Sequence, residues 1–221
     1  MNHDELIKAL YDETLLGNAP KVLELTNAAL ESGMGPDTIL FDALIPSLEE
    51  VGARFERGDY FVPEMLIAGK AMSGALNVLR PLLAETGAES IGTYVMGTVK
   101  GDVHDIGKNL VNIMLEGAGF TVIDIGVQAP PEKFIAAIRE HKPDIVGMSA
   151  FLTTTMPMFK VNIHEITKAG LRNDVIIMVG GAPVTQEYAD AVGADGYAAD
   201  ASTAVRLAKE LIKKRRNLVS A

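Results

Sequence analysis

Between residues 100 and 109 the chain reads Lys100-Gly101-Asp102-Val103-His104-Asp105-Ile106-Gly107-Lys108-Asn109, a histidine between two acids with glycines on either side. A neutral imidazole can ligate a metal through one ring nitrogen while a carboxylate holds the other and fixes the tautomer. Asp102, two residues before His104, is placed to be that carboxylate. A protein-built zinc or iron site needs three or more side-chain ligands. Apart from Asp105, the neighbouring loops offer neither a further His nor a Cys. One good ligand suits a metal whose other positions are filled by a cofactor. A second reading is general acid–base chemistry by His104 oriented by Asp102, with Ser149 as nucleophile. No glycine-flanked nucleophile turn surrounds Ser149, however. The spacing from Gly101 to Gly107 matches neither a P-loop nor a dinucleotide fingerprint.

These residues need a scaffold that presents a loop after a strand. The apolar run Ile91–Val99 precedes the loop and a helical pattern, Asn109–Gly117, follows it. Further strand-like runs occur at Thr121–Ile125, Asp144–Ser149, Val175–Val179 and Gly196–Ala198. Helical runs at Pro131–His141, Met156–Ala169, Thr185–Val192 and Thr203–Arg216 lie between and after them. Alternation of this kind predicts a parallel sheet covered on both faces. Five strands fit a flavodoxin-like (Rossmann-type) order, 2-1-3-4-5, whose ligand crevice lies at the carboxyl ends of strands 1 and 3. The loops after strand 1 (100–107), strand 3 (Ser149 to Thr155) and strand 4 (Gly180-Gly181-Ala182-Pro183) should then share one edge.

The first 85 residues follow a different pattern, with apolar residues at spacings of three and four only. Four amphipathic runs are broken at Gly17-Asn18-Ala19-Pro20, at Gly33 and Gly35, and at Gly58-Asp59. This predicts an all-α four-helix bundle over 1–85, a linker near 84–90, and an α/β domain over 86–221.

Composition narrows the function classes. With 48% hydrophobic and 22% charged residues the 221-residue chain is globular. A net charge of −9 disfavours a nucleic-acid backbone as partner. The one basic cluster, Lys213 to Arg216, reads as charge at a helix C-terminus. The absence of cysteine excludes disulfides, zinc–thiolate sites, iron–sulfur clusters and thiol nucleophiles. No apolar run has the length of a membrane span and no signal-peptide core is visible, so a cytoplasmic protein is expected.

Three motifs stand in register on this scaffold: Asp102-x-His104-x-x-Gly107, Ser149-x-Phe151 and Gly180-Gly181. They are separated by 41 residues (Gly107 to Ser149) and 28 residues (Phe151 to Gly180). Together they resemble the signature of proteins that bind cobalamin with its own base displaced, as in the cobalamin-binding region of methionine synthase. The whole stretch from Gly101 to Asn109, with Gly58-Asp59-Tyr60-Phe61-Val62-Pro63-Glu64 in the bundle, is similar to the small corrinoid proteins of methanol and methylamine methyltransferase systems. The one departure is Phe151, where the family signature has Leu.

The resemblance implies a corrinoid methyl carrier of one-carbon metabolism that binds cobalamin (cob(I)alamin and methylcobalamin, or a related corrinoid) base-off/His-on. It makes His104 the cobalt ligand and Asp102 its hydrogen-bond partner, with Ser149 extending the relay. The cofactor surface would comprise Gly101, Val103, Asp105, Ile106, Gly107, Phe151, Thr153, Thr154 and Ala182, with Gly180 and Gly181 leaving room for the displaced base. The bundle would cap the upper corrin face, through Val62, Met65 and Met72, and the linker would act as hinge. Implied partners are a substrate-specific methyltransferase, a second methyltransferase acting on a thiol or tetrahydrofolate, and a reductive activating protein. Two alternatives are a cobalamin-dependent regulator and the small subunit of an adenosylcobalamin mutase. The former expects a DNA-binding segment ahead of the bundle, and the latter has no need of the bundle.

Overall fold

A computed structural model describes residues 1–86 and 90–219. It forms two compact units, residues 1–90 with 113–119, and residues 91–112 with 120–221. Residues 87–89, within the expected linker, lie outside the described residues.

The first unit is helical. Helix α1 (His3–Leu15) opens with a capping box: the Asn2 side chain accepts from the Glu5 amide, and Glu5 accepts from the Asn2 amide. Helix α2 (Ala19–Glu31) begins with Pro20 in its first turn, where a missing N–H costs nothing. The third helical stretch is continuous but composite, with α3 (Pro36–Thr38), a π-helical segment (Ile39–Leu44) and α4 (Ile45–Arg57). Gly58 ends it in a left-handed conformation, φ +79°, that a residue with a Cβ adopts at a cost. Helix α5 (Val62–Thr86) completes the set. Each helix packs on two others, α1 on α2 and α4, and α5 on α2 and α4, which is the arrangement of a four-helix bundle.

The apolar stripes of Leu6 and Leu10, Val22 and Leu25, Leu48 and Val51, and Met65, Met72 and Leu79 are all buried. Each such side chain contributes about 1.5–3 kcal/mol on burial. Met65 and Met72, expected to face a cofactor, are fully buried. Their spacing of seven places them on one stripe with Leu79, which is the pattern of bundle core. The tract Gly58–Glu64 links helices: the Tyr60 hydroxyl donates to the Leu15 carbonyl at 3.3 Å, and the Arg54 guanidinium lies 5.2 Å from the centre of its ring. Glu64 accepts from the Phe61 amide at 2.9 Å and so caps the start of α5.

The second unit is a five-stranded parallel sheet in the order β2-β1-β3-β4-β5. Its strands are β1 (Thr93–Thr98), β2 (Thr121–Asp124), β3 (Ile145–Ser149), β4 (Ile176–Gly180) and β5 (Gly196–Ala198). Tyr94 pairs with Ile145 and Ile145 with Ile176, so the carboxyl ends of β1, β3 and β4 are level. Helix α6 (Ile106–Gly117) follows β1, and its last turns belong to the first unit. Helices α7 (Pro131–His141), α8 (Pro157–Lys168), α9 (Gln186–Val192) and α10 (Ala201–Val219) follow the later strands.

The core of this unit sets Val95, Val146, Ile177 and Val179 against Phe134, Ile138, Phe159, Ile163 and Val192. Strands buried on both faces read as near-continuous apolar runs, which is why these segments lack alternation. The basic run at the end of the chain is used locally. Arg215 donates to the carbonyls of Asp144, Asn173 and Asp174, and Arg216 to that of Ile91, tying α10 to the sheet. Among the described residues no helix is long and apolar enough to cross a membrane.

Candidate functional site

The loop after β1 turns at Gly101, whose φ of +84° turns the chain so that Asp102 faces inward. The Asp102 amide donates back to Val99 at 3.1 Å, and its carbonyl accepts from Gln128 at 3.0 Å. The Thr98 hydroxyl donates to the His104 carbonyl at 3.0 Å. Helix α6 starts directly after Asp105, whose carbonyl accepts from Asn109 at 2.7 Å. Asp105 thus stands at the helix entry, where a negative charge meets the positive end of the helix dipole.

Asp102 is fully buried and saturated with donors. Its Oδ1 accepts from the His104 amide at 3.0 Å and lies 2.7 Å from His104 Nδ1. Its Oδ2 accepts from the Phe151 amide at 2.7 Å, the Leu152 amide at 3.3 Å and the Thr155 hydroxyl at 2.7 Å. Burial opposes ionisation, but the hydrogen bonds from Thr155, from the His104 and Phe151 amides and from the His104 ring outweigh it. The carboxyl is therefore held well below the usual aspartate range.

An ionised carboxylate only accepts, so Nδ1 of His104 carries the ring hydrogen and Nε2 of the neutral ring keeps its lone pair. The His104 side chain is 43% exposed, and among the described residues Nε2 makes no hydrogen bond. One face of the imidazole is covered, since the Phe151 ring stacks on it with centroids 4.3 Å apart and planes 28° from parallel. Around it stand exposed apolar side chains: Val103, Ile106, Phe151 and Leu152. The arrangement offers one oriented nitrogen donor on a wettable apolar surface. Among the described residues no group of three or more His, Cys, Asp or Glu side chains could hold a metal ion, so one ligand is what this surface supplies.

The other residues expected at the site fall into three groups. Gly101, Val103, His104 and Asp105 are exposed in the loop after β1, Ile106 and Gly107 are exposed in the first turn of α6, and a Cβ added at Gly107 would meet nothing within 4 Å. Phe151, Thr153 and Thr154 are exposed in the loop after β3. Gly180 ends β4, and Gly181 and Ala182 follow in the loop after it, joined to the β3 loop where Ala150 donates to Gly180 at 3.1 Å. Ser149 is half-buried at the end of β3, and the hydroxyl that reaches Asp102 is that of Thr155. Sequence reasoning missed Thr155. The run Thr153-Thr154-Thr155 was visible, but which of the three faces inward depends on the turn from β3 into α8.

Behind the loop, Lys108 is buried and its ammonium pairs with Asp124 and donates to Asn109 Oδ1 at 2.7 Å. Asn112 donates to the same Asp124 oxygen at 3.1 Å, while Asp124 Oδ1 accepts from the Gly126 amide at 2.7 Å. A buried ammonium must be paired. The pairing here fixes the first turn of α6 to the end of β2, and with it the exit of the His104 loop.

Fold and site together define an α/β protein that presents, at the carboxyl ends of β1 and β3, a single imidazole held by a buried carboxylate. The chain belongs to the B12-binding corrinoid proteins: a family model described as B12 binding domain matches residues 92–206, and a second model of the same description matches residues 6–80. A dimethylamine corrinoid protein of Methanosarcina acetivorans is 42% identical over 96% of this chain and 100% of its own length. A corrinoid protein of Desulfitobacterium hafniense is 38% identical over 96% of this chain and 97% of its own. Among solved structures, the methanol:cobalamin methyltransferase complex of Methanosarcina barkeri matches with a TM-score of 0.84 and 30% identity, covering 95% of this chain and 80% of that one. The monomethylamine corrinoid protein of the same organism matches with a TM-score of 0.54 and 33% identity, covering 95% and 100%. The chain therefore binds cobalamin or a related corrinoid. The residues present suit such a group, with one free imidazole nitrogen, an apolar exposed rim, and open space where Gly107 lacks a side chain.

Proposed function

We propose that the chain is a methyl carrier in a methyltransferase system and holds its corrinoid base-off with His104 as the lower ligand. When bound, the corrinoid supplies a cobalt that accepts and gives up a methyl group; the protein supplies orientation and access. The observation that carries this reading is the 2.7 Å contact of His104 Nδ1 with buried, ionised Asp102, which leaves Nε2 as an oriented donor. In this reading Asp102 fixes the tautomer of the imidazole and keeps Nε2 oriented outward, where it would hold the metal.

A substrate-specific methyltransferase loads the carrier, and a second methyltransferase passes the methyl group to a thiol or to tetrahydrofolate. A reductive activating protein restores carriers whose metal has been oxidised. The dimethylamine and monomethylamine corrinoid relatives favour a methylated amine as the donor enzyme's substrate.

His104→Ala tests the ligand assignment. Bound cobalamin should lose its His-on absorption spectrum, and the cobalt(II) form should lose the nitrogen splitting of the lower ligand in electron paramagnetic resonance. A variant with both signals intact would remove His104 from the role. Gly107→Ala tests the open space. Gly107 lies in the first turn of α6 without a positive φ, so Ala should raise the stability of the cofactor-free chain by about 0.5–1 kcal/mol. The same substitution should weaken corrinoid retention, measured by equilibrium dialysis. Undiminished retention would show that the space is not used.

A further inference from the structure

Phe151 departs from the family signature, and its ring lies on the imidazole of His104 with centroids 4.3 Å apart. The same residue's amide donates to Asp102 Oδ2 at 2.7 Å, while Asp102 Oδ1 holds His104 Nδ1. One residue therefore touches both members of the pair, the carboxylate through its backbone and the imidazole through its side chain. The hydrogen bond at Nδ1 fixes one point of the ring but leaves it free to swing about that point. A flat surface against one face removes the swing, because leaving it breaks the stack. Phe151 is itself half exposed, so the ring is not locked in place as a core residue would be.

We infer that Phe151 is a positioning residue for His104, a surface on which the imidazole stays aimed whether or not Nε2 is bound to metal. The inference rests on the reading of His104 as the cobalt ligand. A leucine at this position supplies apolar contact but no flat face, so the orientation would then depend on Asp102 alone. An aromatic pair of this kind shifts the balance between the aimed and swung-away ring by roughly two- to tenfold.

The test has two arms. In the cofactor-free protein, the ring protons of His104 should resonate upfield under the Phe151 ring, identified by their loss in His104→Ala. The upfield shift should vanish in Phe151→Leu and Phe151→Ala and persist in Phe151→Tyr. In the protein loaded with cob(II)alamin, the nitrogen splitting of the lower ligand should be complete in the parent and Phe151→Tyr. In Phe151→Leu and Phe151→Ala a base-off fraction without that splitting should appear, the ligated-to-unligated ratio falling roughly two- to tenfold. If the His104 resonances do not move in Phe151→Leu, or the ligated ratio is unchanged while the parent shows the splitting, the positioning role is overturned and the ligand reading stands. If the parent itself shows no nitrogen splitting, the ligand reading fails and the positioning role falls with it.

Discussion

Replacing Asp102 by Asn is expected to lower folding stability by about 2–4 kcal/mol at neutral pH and, with His104 as the proposed cobalt ligand, to weaken its hold on the metal. The substitution preserves shape, so the effect comes from the lost negative charge and the changed hydrogen bonding together. Oδ2 accepts from two backbone amides and the Thr155 hydroxyl, and Oδ1 accepts from the His104 amide and ring. An Asn side chain has one acceptor and one donor end. If its NH2 faces Phe151 and Leu152, donors meet donors in a site closed to water. If it faces His104, the backbone amide of His104 is opposed, and the ring is satisfied only by accepting at Nδ1. The ring hydrogen then sits on Nε2, the atom proposed to hold the metal. Urea unfolding reads the first consequence, and the 15N shifts of the imidazole in cofactor-free protein read the second. A variant as stable as the parent with the hydrogen still on Nδ1 would contradict both.

The pH dependence has a definite sign. The folded state holds Asp102 ionised below the usual aspartate range, so its stabilising contribution is fully present above about pH 4 and is lost as pH falls toward the depressed native value. The stability difference between parent and Asp102→Asn should therefore narrow below about pH 4. A constant difference across that range would mean that the charge is not what holds the loop.

The helical bundle and the α/β alternation were legible because each helix buries a repeating stripe and each central strand reads as a continuous apolar run. Leu6 and Leu10 report a helix face, and Ile145 to Met148 a strand buried on both sides, without reference to any distant residue. The order β2-β1-β3-β4-β5 followed from the alternation of strands and helices, and it placed the loops after β1 and β3 together. What could not be read were facts set across long separations. Thr155 meets Asp102 from 53 residues away through a turn whose rotation no local pattern encodes. The π-helical segment at Ile39–Leu44 interrupts a stretch whose apolar spacing reads as ordinary helix. The stack of Phe151 on His104 joins two loops, and the sequence shows only that a larger side chain replaces the usual one. Pairs within two residues, such as Asp102 and His104, were visible because the chain itself keeps them close.

Gly181→Ala should be the most damaging single methyl in the sheet edge, costing about 3 kcal/mol. Gly181 has φ +133°, a conformation essentially reserved for glycine, and an added Cβ would lie 1.9 Å from the Ala150 carbonyl oxygen and 2.9 Å from its carbon. Those atoms are main chain, and Ala150 is fully buried and bonded to Gly180 at 3.1 Å, so nothing nearby can yield cheaply. Gly180 makes the internal control. Its φ is ordinary and its nearest obstacle is the Ala198 carbonyl at 3.0 Å, so Ala there should cost clearly less. Urea unfolding of the two cofactor-free variants decides the order, and equal losses would refute the geometric account. The outcome also bears on what these glycines do for the corrinoid. Resemblance gives both the task of leaving room for the displaced base, yet at Gly181 the backbone of Ala150, just after β3, already forbids a side chain. A loss of corrinoid binding in Gly181→Ala is then inseparable from a loss of fold. Gly107, open on every side, is where a methyl can report on the cofactor alone.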